Sequence, residues 1–151
     1  MISPEVLRRY PYFAGLSNEQ LITLANTADE ATAPVGHFFF HEGDTLRHIY
    51  IVLEGEVAIT IELPAQNREI VVSTIGPGEV FGWSGLVPPF EATSAAKALS
   101  ACRVLAFDCQ ALRAEFEKDC RLGYLMMQML AQVIRDRLRD LHIETLSCLA
   151  S

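Results

Sequence analysis

Apolar and polar residues alternate with a period of two through the middle of the chain. In the clearest segment, Val57, Ile59 and Ile61 share one face and polar residues occupy the other. Between about Ala31 and Asp108, several short runs rich in β-branched and aromatic residues are separated by turn signals, with no helix-length segment between them. This spacing predicts a β-sandwich or barrel and not a parallel α/β architecture.

Short helices are predicted before the strands. Ser3 followed by proline is a typical N-cap, and the helix that it begins is expected to end near Tyr10. Ser17 and Gln20 have capping-box spacing and begin a second helix with an apolar stripe. Both helices are expected to be packing elements.

Two further helices are predicted after the strands. Asp108 caps one that runs to about Lys118, and Asp119 caps a longer one that runs to about Cys148. A helix of roughly 25 residues is about 38 Å long, which is more than a domain of this size needs.

The apolar stripe of this long helix is broader than a single seam. We expect one side to pack on the β-region and another to meet a second copy of the chain. The alternative is that the whole stripe serves the chain's own core. The candidate dimer residues are Met126, Leu130, Ile134, Leu138, Leu141 and Thr145. On the same helix Arg135, Arg137 and Arg139 alternate with Asp136 and Asp140, which predicts a solvated face.

Composition narrows the class of protein. The chain has 151 residues, half of them hydrophobic and 21% charged, which is typical of one folded globular domain. Its net charge of −7 disfavours non-specific binding to nucleic acid. The sequence offers neither a membrane span nor a secretory signal, so we expect a cytoplasmic protein. The cysteines and histidines lack ligand spacing, so no metal site is expected.

Glycine and small residues are concentrated between Ile75 and Ala98. Glycine allows close approach of the backbone, so this stretch predicts a cup lined with N–H groups, which could accept an anion. The alternative is a tight turn between two strands. The candidate ligand residues are Phe81, Gly82, Trp83, Ser84, Gly85, Ala92, Thr93 and Ser94.

Three segments carry a family resemblance: 41–44 (HEGD), 49–57 (IYIVLEGEV) and 76–86 (GPGEVFGWSGL). Over about residues 10–146 the chain resembles the cyclic nucleotide-binding domain family, the sensory module of catabolite-activator-type regulators. The resemblance implies a mainly β fold, a jelly roll of about eight strands with flanking helices.

We expect a single domain over residues 1–151. Its parts are N-terminal helices (1–30), a β-roll (31–108) with a ligand cassette (76–98), and C-terminal helices (109–151).

The cassette departs from the family pattern at both charged positions. In the family, a glutamate after the Phe-Gly pair holds the ribose, and an arginine nine or ten residues later pairs with the cyclic phosphate. Here those positions hold Trp83 and about Ala92, and the nearby Lys97 is expected on the opposite strand face. Losing one partner of a buried charge pair costs roughly 2–5 kcal/mol, enough to weaken a micromolar ligand to about millimolar. We therefore expect a pocket without positive charge and no family-type affinity for cyclic nucleotides.

Two interpretations of Trp83 are open. The indole either fills the vacated cup or forms a stacking platform for a different planar ligand. An unknown small anion is the other ligand class that the cup suggests, and no cofactor is expected.

These patterns predict a non-enzymatic regulatory module that is a homodimer. We expect it to act through an effector protein or through a small ligand other than a cyclic nucleotide. The alternative is a genuine cyclic nucleotide receptor with altered contacts that signals to a separate effector. A DNA-binding regulator is less favoured, because no helix-turn-helix follows residue 148 and the chain is acidic. No membrane partner is expected.

Overall fold

Eight antiparallel strands form two four-stranded sheets in the computed structural model, which describes residues 1–150. The sheet orders are β1-β8-β3-β6 and β2-β7-β4-β5, the connectivity of a jelly roll. The predicted fold class is therefore confirmed. The strands are β1 Ala28–Ala33, β2 Phe38–Phe40, β3 His48–Glu54, β4 Val57–Leu63, β5 Arg68–Ile75, β6 Val80–Phe81, β7 Ala95–Ala98 and β8 Cys102–Asp108.

Within the described residues, four α-helices flank the roll: α1 Pro4–Arg8, α2 Asn18–Asn26, α3 Cys109–Lys118 and α4 Cys120–Ala150. Ser17 and Gln20 form the predicted capping box at α2, and the Asp108 side chain caps α3. The first helix ends at Arg8 and not near Tyr10, because Tyr10 is extended before Pro11.

Two hydrophobic clusters hold these layers together. One lies between the sheets and includes Phe40, Val52 and Val104. The other, which we call the helical core cluster, joins the outer face of the β1-β8-β3-β6 sheet to the helices, with Leu105 and Leu122 among its members. The central strands β3 and β8 are thus buried on both faces, which accounts for their continuous apolar runs.

The long helix α4 changes environment near its middle. Its first half packs on the helical core cluster, whereas residues 134–150 are exposed except for a half-buried Arg137. Met126 and Leu130 are 3% and 2% exposed, so the chain's own core occupies them and the dimer face predicted for them needs correction. Ile134, Leu138, Leu141 and Thr145 are exposed on the second half.

Candidate functional site: the cassette cavity

A cavity of about 740 Å³ opens between the cassette, the β4–β5 hairpin and the second half of α4. We call it the cassette cavity. All the predicted ligand residues except Gly85 line it: Phe81, Gly82, Trp83, Ser84, Ala92, Thr93 and Ser94. Much of the remaining wall is apolar and comes from Phe40, Leu46, Ile59, Ile61, Val72, Ile134, Leu138, Leu141 and Ile143.

Gly82 sets the turn by which the chain leaves β6 and enters the cavity wall. Its φ of 81° is left-handed, and a Cβ there would lie 3.1 Å from the carbonyl oxygen of His48. A short 3-10 turn, Trp83–Leu86, follows at once. This turn places Trp83 and Ser84 on the wall.

Gly85 lies outside the cavity and packs against α3, which corrects its prediction as a ligand residue. A Cβ there would lie 2.6 Å from Sγ of Cys109. Its carbonyl accepts a hydrogen bond of 2.7 Å from the Arg113 guanidinium, which also lies 4.1 Å from the Phe90 ring centroid. Burial raises the pKa of the Cys109 thiol to about 12. The cassette is therefore fastened to α3 through packing, a hydrogen bond and a cation–π contact.

Ala92, the expected site of the phosphate-binding arginine, is a small part of the wall. It is 5% exposed, and its backbone bonds Asp44 and Gly43 at 2.8 and 2.9 Å. The methyl group offers no charge to a ligand. Lys97 does not replace the arginine, because its ammonium lies 3.9 Å from Glu69 and 5.4 Å from the Phe38 ring centroid, away from the cavity lining.

Trp83 lines the cavity without closing it. The indole is half-buried and packs against the helical core cluster, and the cavity remains open beside it. The interpretation of Trp83 as a plug is therefore wrong in this structure. The stacking interpretation stays a prediction.

Arg137 corrects two predictions: that its side chain is solvated, and that the pocket holds no positive charge. It lines the cavity from α4, is half-buried, and donates a hydrogen bond to the carbonyl of Val80 on β6. Burial lowers the pKa of its guanidinium, while the nearby Glu79, Tyr12 and Asp140 act in the opposite direction.

The neighbouring arginines behave as predicted: Arg135 and Arg139 are exposed and lie close to Asp136.

The position of Arg137 on the inner face of α4 could have been predicted from helical spacing. It follows the buried Leu130 and Val133 by seven and four residues, so it shares their face. The same periodicity brings Leu138 and Leu141 to the cavity mouth. Residues predicted for a dimer face thus also line the cassette cavity.

Comparison with known proteins shows which family has this fold. A model of the family described as "Cyclic nucleotide-binding domain" matches residues 31–119, more than half of the chain. The chain belongs to the cyclic nucleotide-binding domain family. The family resemblance predicted from three short segments of the sequence is therefore confirmed.

Individual members of this family show the same relationship. The chain is 28% identical over 131 residues to a "CRP-like cAMP-activated global transcriptional regulator" of Mycobacterium tuberculosis, covering 87% of this chain and 58% of the regulator. It therefore spans less than two thirds of the length of that relative.

Solved structures of about the same length match more completely. A crystal structure described as a candidate cyclic nucleotide-binding protein of Geobacter metallireducens is 33% identical, covering 91% of this chain and 99% of that one, with a TM-score of 0.82. The N-terminal domain of a transcriptional regulator of Streptomyces coelicolor is 30% identical, covering 89% and 94%, with a TM-score of 0.70.

Residues 1–150 contain no cluster of three or more metal-ligating side chains. No helix in that part of the chain is long and apolar enough to cross a membrane.

Proposed function

We propose that this chain is a non-enzymatic sensor module whose cassette cavity takes a small molecule other than a cyclic nucleotide. The observation that carries the proposal is the pairing of an open cavity of about 740 Å³ with Ala92 and Trp83 at the family's two charged positions. A cyclic phosphodiester placed against Ala92 loses its counter-charge there, at a cost of roughly 2–5 kcal/mol. The apolar wall favours a ligand of different chemistry.

Contacts between the cassette and the C-terminal helices supply a route for signalling. Arg113 on α3 bonds Gly85, and Arg137 on α4 bonds Val80, so both helices are tied to the segment that forms the wall. Asp119 is extended between α3 and α4 and caps α4 through Leu122 at 3.1 Å. A ligand that displaces the cassette would move α4 about this break.

The exposed half of α4 supports a homodimer as the signalling unit. Ile134, Leu138, Leu141 and Thr145 recur at intervals of four, three and four residues, the spacing of a coiled-coil seam. A second copy would cover this stripe, and an effector protein in the cytoplasm would read the position of the paired helices.

A cyclic nucleotide receptor with altered contacts is the second candidate. The observation that favours it is Arg137, a cation on the cavity wall that the family pattern does not include. In that case the cyclic phosphate would pair with α4 and not with the cassette.

Restoring the two missing charges tests the proposal. We expect wild-type protein to show no rise in melting temperature with cyclic AMP or cyclic GMP. Trp83→Glu combined with Ala92→Arg should acquire saturable binding, because it regains both family-type contacts, at roughly 100 µM or tighter if a few kcal/mol are recovered. Trp83→Glu with Val87→Arg is the matched control, because Val87 is an exposed cassette residue that does not line the cavity. A wild-type shift as large as that of the restored variant would favour the altered receptor and overturn the proposal.

A further inference from the structure

The polar groups inside the cassette cavity indicate which chemical class of ligand it takes. Ser84 is only 9% exposed and lines the cavity, yet its hydroxyl makes no hydrogen bond within residues 1–150. Among the described residues, the fully buried side-chain oxygen without a partner is Oγ1 of Thr60, so the Ser84 hydroxyl is accessible from the cavity, where a ligand group can bond it. The indole N–H of the adjacent Trp83 likewise has no partner in the described part of the chain.

Arg137 supplies a charge near the same end of the cavity. Its guanidinium bonds the carbonyl of Val80, four residues before Ser84, which keeps the two sites within roughly 15 Å. It forms no ion pair with a carboxylate among the described side chains, so most of its N–H donors remain available. A half-buried guanidinium of this kind is complementary to a planar carboxylate.

Acidic groups near Arg137 limit the charge of the ligand. Asp140 and Glu144 line the cavity from α4, and Glu79 lies near the guanidinium together with Tyr12. The three carboxylates are exposed, so water screens them, but together they disfavour a ligand with two or more negative charges. One negative charge can be matched by Arg137.

Apart from the hydroxyls of Ser73, Thr74, Thr93, Ser94 and Ser147, the rest of the wall has few groups that could pair with a nucleotide. Away from the β6 end, the β4–β5 hairpin contributes Ile59, Ile61 and Val72, and α4 adds Leu138 and Leu141. A ribose and a purine carry hydroxyl and amino groups that would be poorly paired against these side chains. An alkyl or aryl body buries apolar surface there at no such cost.

We propose that the cassette cavity binds a monocarboxylic acid with an apolar body, of the size of a medium-chain fatty acid, with its carboxylate paired to Arg137 at the end of the cavity that Ser84 lines. This rests on the proposed function, since it names the ligand of the same cavity. About 740 Å³ is within the usual range of small-molecule sites, about 300–1,000 Å³. The ligand would lie with its charged end toward β6 and its tail along the β4–β5 hairpin.

Trp83 makes the proposal directly measurable, because it is the single tryptophan of the chain and lies on the cavity wall. Decanoate, kept below its micelle concentration, should change the indole emission saturably and raise the melting temperature. Decan-1-ol is the matched ligand, with the same tail and no charge. We expect it to bind roughly 10- to 100-fold more weakly, the range for losing a hydrogen bond to a charged group.

Substitutions at Arg137 distinguish the effect of losing the guanidinium charge from the effect of disturbing the fold. Arg137→Gln should weaken decanoate by a similar factor and leave decan-1-ol unchanged, whereas Arg137→Lys should retain part of the preference for the acid. Arg135→Gln, on the same helix but exposed, is the control and should behave as wild type. Ser84→Ala should weaken decanoate several-fold.

Equal binding of acid and alcohol, an unchanged preference in Arg137→Gln, or no saturable change in emission would overturn the carboxylate assignment. Those results would leave the proposed function standing. A cyclic nucleotide that binds wild type and competes with the fluorescence change would instead overturn the proposed function.

Discussion

Gly85 is a residue at which the cassette packs tightly against α3. Its ideal Cβ position lies 2.6 Å from Sγ of Cys109 and 3.2 Å from Cβ of Leu46, and both neighbours are buried. A side chain there would displace the cassette or α3. Gly85 is thus required by packing and not by ligand contact.

Gly85→Ala is therefore expected to destabilise the fold by about 1–3 kcal/mol, the usual cost of overpacking a core. Urea denaturation followed by circular dichroism measures this difference. Gly15→Ala is the control, because its Cβ would have its nearest neighbour, Cδ2 of Leu125, at an ordinary 3.7 Å. If the two variants unfold at the same urea concentration, the packing described for Gly85 is incorrect.

Three residues define the chemistry of the cavity, and the sequence identified two of them. Trp83 and Ala92 lie in a short segment whose spacing can be compared directly with the family pattern, so their positions were predictable. Arg137 lies on another element, 45 residues after Ala92, and its alternation with aspartates resembles that of a solvated helix. Only the packing of α4 over the cassette shows that its side chain lines the cavity.

At the scale of elements, α4 has two roles along its length. The first half fills the helical core, and the second half presents an exposed apolar stripe above the cavity mouth. Leu138 is 51% exposed on this stripe, a large apolar side chain left partly in water. The helix is therefore where dimerisation and ligand binding would meet.

Leu138→Arg is expected to convert a homodimer to monomer, since it places a charge in the seam of each copy. Size-exclusion chromatography with light scattering gives the mass. Gln128→Arg adds the same charge to α4 at an exposed polar position and should leave the dimer intact. A wild-type chain that is monomeric at all concentrations, or a dimeric Leu138→Arg variant, would contradict the proposed seam.

Elements with strong local signals were predicted well, and their ends less so. The break at Asp119 follows from a capping residue, and the strand through Val57 follows from its alternation. The first strand begins at Ala28, whereas the β-region was predicted to begin near Ala31. The prediction missed the start because the strand's residues, ADEATA, show no apolar alternation. Pairing with β8 alone makes that segment a strand, which is a tertiary effect.

Across the whole molecule, the jelly roll places the cassette cavity between the cassette, with Trp83 and Ala92 in its wall, and α4, which contributes Arg137. The cavity measures about 740 Å³, and many of its lining side chains are apolar. On this basis we propose that the chain does not recognise a cyclic phosphodiester in the family manner.

Calorimetric titration of the unmodified chain with cyclic AMP and cyclic GMP tests that claim most directly. We expect no saturable heat up to about 1 mM nucleotide, since the absence of the arginine alone would shift a micromolar affinity to that range. A one-to-one isotherm with a micromolar dissociation constant for either nucleotide would contradict it.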